Sequence, residues 1–508
     1  MNLNRWAAAS VVTLLLTLAA CAGALNEQTA NAAPVAGAWP PVWQDPPEPP
    51  QGDFTPPNFE RPNASHCHRL PTTREVPGGG RESQELSLWR SRRGDAEDAT
   101  HELRSEVRPS AKKSEAARGA PADAPSASPP MAAGIAQADR SFAPSPWPQP
   151  QPQPTPQRPA HETVTAGKVD DNADFGEYLS YRQRHAGMPV RERDISERYL
   201  LEVIDSNGRP VHDAEVAVQR PGVAQPVMWA RADTAGRVWL HPRAFMAGGP
   251  GDEHQLGVAV RKGGLQSRAT LTRGQAQAVQ VQLGVLPAMQ RRRLDLVFLI
   301  DATGSMGDEI AKLKTSMRAV AQQISQLPGQ PDICYGLVAY RDRGDVFLTR
   351  SHDFSDDLGA FQQMLARVQA AGGGDTPEAL NEALHEAVHG LSWRADAARM
   401  VVLVADAPPH LDYGGPQYDR DMQAALAKGI KLFAVGASGL DPLGEYIFRQ
   451  MAQYTAGRFV FLTYKDAANP ASGPGSQTVH DVGQYSVQTL DRLIVRLVSD
   501  EMARLARS

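Results

Sequence analysis

The stretch LDLVFLIDATGSMGDEI, residues 294–310, decides how the C-terminal half of this chain is read. Leu294 and residues 296–300 form an apolar run of strand length, as expected of a strand buried on both faces. The chain then breaks into Asp301, Thr303 and Ser305, with Gly304 and Gly307 beside them. Three oxygen-bearing side chains at alternate positions can turn towards one point. Two chemistries fit such a strand end: a nucleophile presented at a strand-to-helix turn, or part of a metal site.

The nucleophile is the weaker fit. Residues 303–307, TGSMG, nearly match the G-x-S-x-G elbow of serine hydrolases, and Asp406 and His410 follow in the order acid then histidine. The elbow needs a small residue where Thr303 stands, and a triad takes its acid and histidine from separated loops, not from one run such as Asp406-Ala-Pro-Pro-His410. A metal site accounts for more residues. Carboxylates and hydroxyls are hard ligands, suited to Mg²⁺ or Mn²⁺ and not to zinc. Mg²⁺ needs about six oxygens at about 2.1 Å, so one loop cannot hold it. Two further loops offer acids: GGGDTPEAL, residues 372–380, with Asp375 and Glu378, and VADAPPH, residues 404–410, with Asp406.

Working outward, apolar runs at residues 294–300, 333–341, 346–350, 400–405, 431–436 and 458–464 alternate with helical patterns. Leu380, Leu384, Val388 and Leu391 fall on one helical stripe, with Pro377 suited to the first turn, and Leu490, Leu493, Ile494 and Leu497 form another. Uninterrupted strands alternating with amphipathic helices predict an α/β fold with a doubly wound, mostly parallel sheet. Ligands of such sheets sit at the carboxyl ends of the strands, where Asp301 and Asp406 occur.

Asp-x-Thr-x-Ser after the first strand, an acidic Gly-rich second loop and a strand-end Asp together resemble the metal-ion-dependent adhesion site of von Willebrand factor type A domains. The resemblance covers residues 291–508 and implies a divalent cation, Mg²⁺ or else Mn²⁺ or Ca²⁺, held by Asp301, Thr303, Ser305 and Asp406. Many such domains place Gly-Gly-Thr in the second loop, whereas Asp375 follows Gly373-Gly374 here. Residues 375–378, Asp-Thr-Pro-Glu, are similar to the corresponding loop of integrin β-subunit domains. By that likeness Glu378 is a direct ligand and Asp375 a supporting one. Asp308 and Glu309 stand where those domains bind an adjacent ion, but acids in a first helical turn also favour the helix dipole. The implied activity is binding and not catalysis: a cation with an open position would accept a carboxylate from a protein partner.

The N-terminus reads MNLNRWAAASVVTLLLTLAAC, with an apolar segment too short to span a bilayer. Leu18-Ala19-Ala20-Cys21 resembles a bacterial lipobox, which implies a signal peptide over residues 1–20 and a lipid anchor on Cys21. Ala22 is not the Asp of inner-membrane retention, so a cell-envelope lipoprotein of the outer membrane is expected. Residues 21–195 read as a disordered Pro-rich tether, clearest in the polyproline II-like run APSPWPQPQPQPTPQRPA, residues 143–160. Residues 196–286 alternate apolar and polar positions in short strands, with a hairpin expected around Asp205-Ser206-Asn207-Gly208. Their pattern V-x-D-x-x-G-x-P-V and later D-T-x-G resembles the small β-sandwich of carboxypeptidase regulatory-like domains.

Composition narrows the remaining classes. The 508 residues carry a formal net charge of −5, which gives no basic surface for nucleic acid. Cys21, Cys67 and Cys334 lack metal-binding spacing; Cys334 reads as a small core residue, and pairing with Cys67 in an oxidising compartment stays open. His66-Cys67-His68 stands alone in low-complexity sequence. HEAVH, residues 385–389, matches the zinc-protease pattern H-E-x-x-H with Glu386 as general base, but no further histidine follows at the required spacing and the α/β frame is foreign to it.

Overall fold

The computed structural model describes residues 67, 71–80, 163–245, 254–287, 291–374 and 376–506. The expectations for residues 1–20, Cys21, the polyproline run, His66, His68 and Asp375 lie outside the described residues.

An unbroken tether over residues 21–195 does not hold. Strands β1 (Thr73–Val76) and β2 (Thr165–Val169) and helix α1 (Phe175–Arg184) fall inside it. The two strands read TREV and TAGKV, too short and polar to show periodicity, and they are held by backbone pairing to partners hundreds of residues away. Tyr178 and Tyr181 of α1 are buried, and the Arg449 guanidinium lies 3.6 Å from the Tyr181 ring while ion-pairing with buried Asp171 at 2.6 Å.

The next seven strands form two small sheets. One has the order β6 (Arg237–Leu240), β3 (Tyr199–Ile204), β9 (Val279–Gln282). The other has the order β5 (Pro226–Arg231), β4 (Glu215–Gln219), β7 (Gln255–Lys262), β8 (Leu265–Thr272). Leu201 and Val203 of one sheet share a core with Val216, Val218, Val258 and Val260 of the other. The expected hairpin is corrected: β3 and β4 flank the Asp205 turn but belong to different sheets. Asp205 Oδ1 closes that turn by accepting from Asn207 N and Arg209 N, and the chain then crosses over through Asp213, whose φ is 57°.

The large sheet contains β10 (Arg293–Asp301), β11 (Asp332–Tyr340), β12 (Thr349–Ser355), β13 (Ala397–Ala405), β14 (Ile430–Gly436), β15 (Arg458–Asp466) and β17 (Gln488–Thr489), with β16 (Asn469–Pro474) paired only to β15. Its order is β1-β12-β11-β10-β13-β14-β15-β2-β17. The five strands from β11 to β15 in that order are parallel to one another. This is the predicted mostly parallel α/β sheet.

Helices α2 (Ile310–Ser325), α3 (Leu358–Arg367) and α7 (Leu490–Leu505) cover one face, packing on Leu294, Leu296, Phe298 and Ile300. Helices α4 (Leu380–His385), α5 (Tyr418–Lys428) and α6 (Pro442–Tyr454) cover the other, against Val297 and Leu299. Each such buried aliphatic side chain contributes on the order of 1.5–3 kcal/mol. The helix expected from Pro377 starts only at Leu380, because Glu378 is engaged in backbone pairing: its N–H donates to Pro408 O and its carbonyl accepts from His410 N.

Cys67 and Cys334 form a disulfide, fastening the segment ahead of β1 to the start of β11. The sandwich is joined to the sheet by buried ion pairs. Arg399 Nη1 lies 2.8 Å from Asp213 Oδ1, and Lys431 Nζ lies 2.9 Å from both Asp233 and Glu501. Burial opposes the Asp213 charge, but Arg399, Arg231 and Lys262 outweigh it and hold the carboxyl well below the usual range. Removing one partner of such a pair strands the other charge. Asp213→Asn, a residue that also tolerates positive φ, should therefore cost about 3–5 kcal/mol in urea unfolding at pH 7. Because the folded pKa is depressed, this contribution is present above the unfolded value of about 3.9 and lost as pH falls towards the folded one. The gap between wild type and variant should narrow below about pH 4.

Candidate functional site

Asp301 ends β10, and Asp406 follows the last residue of the adjacent strand β13. The sheet thus sets two carboxylates side by side, both buried. Asp301 Oδ1 accepts from Thr303 N at 2.9 Å and from Thr303 Oγ1 at 2.7 Å. Thr303 Oγ1 lies 3.0 Å from Ser305 Oγ, and Ser305 hydrogen-bonds Asp406 in turn. Four oxygen-bearing side chains from two loops form one continuous chain. Thr303 is buried, whereas Ser305 stands exposed at its mouth.

The electrostatics are unfavourable as they stand. Burial, followed by the charge of Asp406, pushes Asp301 up to about 7. Burial raises Asp406 also, against the hydrogen bond from Ser305. Asp406 Oδ1 is buried and has no hydrogen-bond partner among the described residues. Two inward-facing carboxylates, one with an unused oxygen, fit a bound cation, which would relieve both the mutual repulsion and the desolvation.

The second loop is clamped onto the first. Ala371 N donates to Ala302 O at 3.0 Å, and Gly304 N donates to Gly372 O at 2.9 Å. A β-carbon on Gly304 would lie 2.8 Å from Gly372 O, so the approach needs glycine there. A β-carbon on Gly373, whose φ is 65°, would fall 2.7 Å from Glu378 Oε1 and 3.1 Å from Thr303 Cβ. The Glu378 carboxylate and Thr303 therefore line the same backbone, and Glu378 joins the cluster. Of the six implied ligands, Asp301, Thr303, Ser305, Glu378 and Asp406 are brought together, and Asp375 lies outside the described residues. Glu309 is engaged otherwise: it accepts from Tyr464 Oη and from Ser438 N at 3.2 Å, tying the start of α2 to strand β15 and the loop after β14.

Three supporting groups escaped the sequence reading. Tyr340, opposite Asp301 in the β10–β11 register, donates its hydroxyl to Asp301 Oδ2 at 3.1 Å. Burial and then the charges of Asp301, Asp406 and Glu378 keep that phenol protonated. Asp345 Oδ2 accepts from Gly373 N at 2.8 Å and from Asp342 N at 3.1 Å, fixing the Gly-rich loop. The glycine run after β1 supports Asp345 in turn, since Gly344 N donates to Gly78 O at 2.6 Å. Only the pairing register could have pointed to Tyr340, and nothing local marks Asp345.

The hydrolase candidates assemble differently. His410 reaches Asp412 at 3.2 Å and Asp342 at 3.4 Å and stacks on Tyr413, while the contacts of Ser305 are Thr303 and Asp406. In HEAVH, Glu386 ion-pairs with Arg74. His385 Nδ1 and His389 Nε2 both approach Asp421 Oδ1, at 3.0 and 3.1 Å. These three side chains are close enough to gather a metal. However, Lys428 Nζ lies 3.0 Å from His389 Nδ1, so that nitrogen accepts and the ring proton stays on Nε2, where it is donated to Asp421. Burial works against the Asp421 charge, and the hydrogen bonds from both histidines outweigh it and lower its pKa. The set is a charge cluster between α5 and the helical residues 385–389, with Lys428 already lodged beside it.

Residues 295–468 match the family described as von Willebrand factor type A domain, and the C-terminal half of the chain contains a domain of this class. Such domains are generally involved in protein–protein interaction and adhesion and often bind a divalent metal. Among curated relatives, alpha-protein kinase vwkA of Dictyostelium discoideum is 30% identical over 119 residues, covering 23% of this chain and 19% of the kinase. Von Willebrand factor A domain-containing protein 7 of Rattus norvegicus is 39% identical over 95 residues, covering 18% of this chain and 10% of that protein. The chain thus spans less than a fifth of the length of either. Among solved structures, the conserved hypothetical protein BatB from Bacteroides thetaiotaomicron is 14% identical, covering 42% of this chain and all of that one, with a TM-score of 0.29. Proximal thread matrix protein 1 from the mussel byssus is 15% identical, covering 33% of this chain and 45% of that one, with a TM-score of 0.25.

Tyr340→Phe removes one donor to a buried carboxylate, so with EDTA present it should lower unfolding stability by about 1–3 kcal/mol while leaving the far-UV spectrum unchanged.

Proposed function

We propose that the A domain binds a divalent cation, Mg²⁺ or else Mn²⁺ or Ca²⁺, through Asp301, Thr303, Ser305, Glu378 and Asp406, with Asp375 in support, and captures an acidic group of a protein partner. The observation that carries this is the buried Asp301–Asp406 pair with its unused Asp406 oxygen. When bound, the cation supplies a positive centre able to accept a partner's carboxylate at the exposed Ser305 side. Thr303 and Tyr340 orient Asp301, and Asp345 holds the loop that bears Glu378. With Glu386 paired to Arg74 and His410 turned to Asp342 and Asp412, away from Ser305, this reading is of a binding protein and not an enzyme.

The wider proposal is an exported lipoprotein of the bacterial cell envelope, anchored in the outer membrane through Cys21, with the sandwich, resembling carboxypeptidase regulatory-like domains, as a spacer. The Cys67–Cys334 disulfide suits an oxidising compartment outside the cytosol. No helix among the described residues is long and apolar enough to cross a membrane. The second reading is an envelope scaffold whose A domain assembles complexes without a cation.

Thermal unfolding of the full chain in EDTA, Mg²⁺, Mn²⁺ and Zn²⁺ separates the two. A ligand present at a hundred times its Kd stabilises the native state by about 2.7 kcal/mol. Mg²⁺ or Mn²⁺ should raise the melting temperature by several degrees in wild type and in His389→Ala, but not in Asp301→Ala. No response to any ion would leave the scaffold. Cys21→Ser should move the expressed chain from the membrane fraction to the soluble one, and retention in the membrane would remove the anchor.

A further inference from the structure

Next to the proposed metal site the fold leaves a second recess. The loop after β14 and the β15–β16 hairpin enclose a cavity of about 300 Å³. Leu440 and Leu462, both 3% exposed, are among its lining residues, together with Tyr464, Pro470, Val479 and His480. The recess is mostly apolar, and its polar groups are already engaged: Tyr464 Oη donates to Glu309, and His480 Nδ1 lies 3.0 Å from Glu445 Oε2. Val479 is 66% exposed, more than any other large aliphatic side chain among the described residues.

The recess is continuous with the candidate site. Gly439 lines it, and a β-carbon on Gly439 would lie 4.0 Å from Asp406 Oδ2. Ser438, another lining residue, donates its N–H to Glu309 at the start of α2, just beyond the Ser305 loop. An extended peptide advances about 3.3 Å per residue, so a partner whose acid meets the cation would carry its next residue or two over this opening.

Resting on the proposed metal-dependent capture of an acid, we propose that the recess between the β14 loop and the β15–β16 hairpin is a specificity pocket for a large aliphatic or aromatic side chain one or two residues from the captured acid of an extended peptide segment in the partner. The metal would select any accessible carboxylate, and the pocket would choose among them. Burying a Leu-sized side chain in such a recess supports a preference of about tenfold or more over glycine. The occupant is a peptide and not a free metabolite, because the two subsites are separate and only a chain with both groups at fixed spacing fills both.

The test is selection of a phage-displayed library of linear peptides, each with one fixed central Asp, against the immobilised full chain in Mg²⁺, with elution by EDTA. Enrichment of Leu, Ile, Met or Phe one or two positions from the Asp is the expected result. Synthetic peptides carrying that residue should bind about tenfold tighter than their glycine versions. The advantage should vanish in Ala468→Trp, which fills the recess from its exposed rim, while Mg²⁺ still raises the melting temperature of that variant. EDTA-eluted clones with no preference beside the Asp would overturn the pocket and leave the metal site standing. Absence of EDTA-eluted clones, with no Mg²⁺ effect on melting, would overturn both.

Discussion

Everything at the site follows from placing two carboxylates at neighbouring strand ends inside the protein. β10 and β13 are adjacent and parallel, so their carboxyl ends lie side by side, and Asp301 and Asp406 are both buried there. Like charges in that setting are tolerable only if something answers them. The chain supplies partial answers in the Thr303 and Tyr340 hydroxyls on one side and Ser305 on the other. These hydroxyls answer the carboxylates only in part, since Asp406 Oδ1 is left without a hydrogen-bond partner among the described residues.

The support of those loops extends further than their own segments. Glu378 is placed by main-chain pairing with the stretch after β13, not by the helix that follows it. The backbone beside it is held by Asp345, and Asp345 is braced by glycines that arrive from the far N-terminal side of the sequence. Parts of the chain separated by about 300 residues therefore determine one geometry. The sandwich contributes differently, clamping the opposite ends of β13 and β14 through Arg399 and Lys431.

How much of this the sequence disclosed depended on whether a signal was local. The parallel strands were legible because strands buried on both faces must be apolar throughout, as in residues 296–300 and 400–405. Asp301, Thr303 and Ser305 were legible because alternating oxygen side chains at a strand end have few other uses, whereas Glu378 was reached only through the likeness to integrin β-subunit domains. β1, β2 and α1 were not legible, since TREV and TAGKV are strands only by virtue of the edges they complete. The crossing between β3 and β4 was hidden for a related reason: Asp205 and Gly208 specify a turn equally well whether the following strand joins the same sheet or the opposite one. Tyr340 was invisible because its role comes from register with Asp301, and register is a property of two strands.

The disulfide sets a mechanical route through the molecule. Tension applied to the chain ahead of Cys67 enters the large sheet at Cys334, at the start of β11, the strand beside the one that ends in Asp301. β1 adds a second attachment, with its bonds to β12 loaded in shear. A pull between that end of the chain and a partner held at Asp301 would cross one covalent link and two adjacent strands. The β3–β9 sandwich lies off this line and would stay slack while the sheet carries the force.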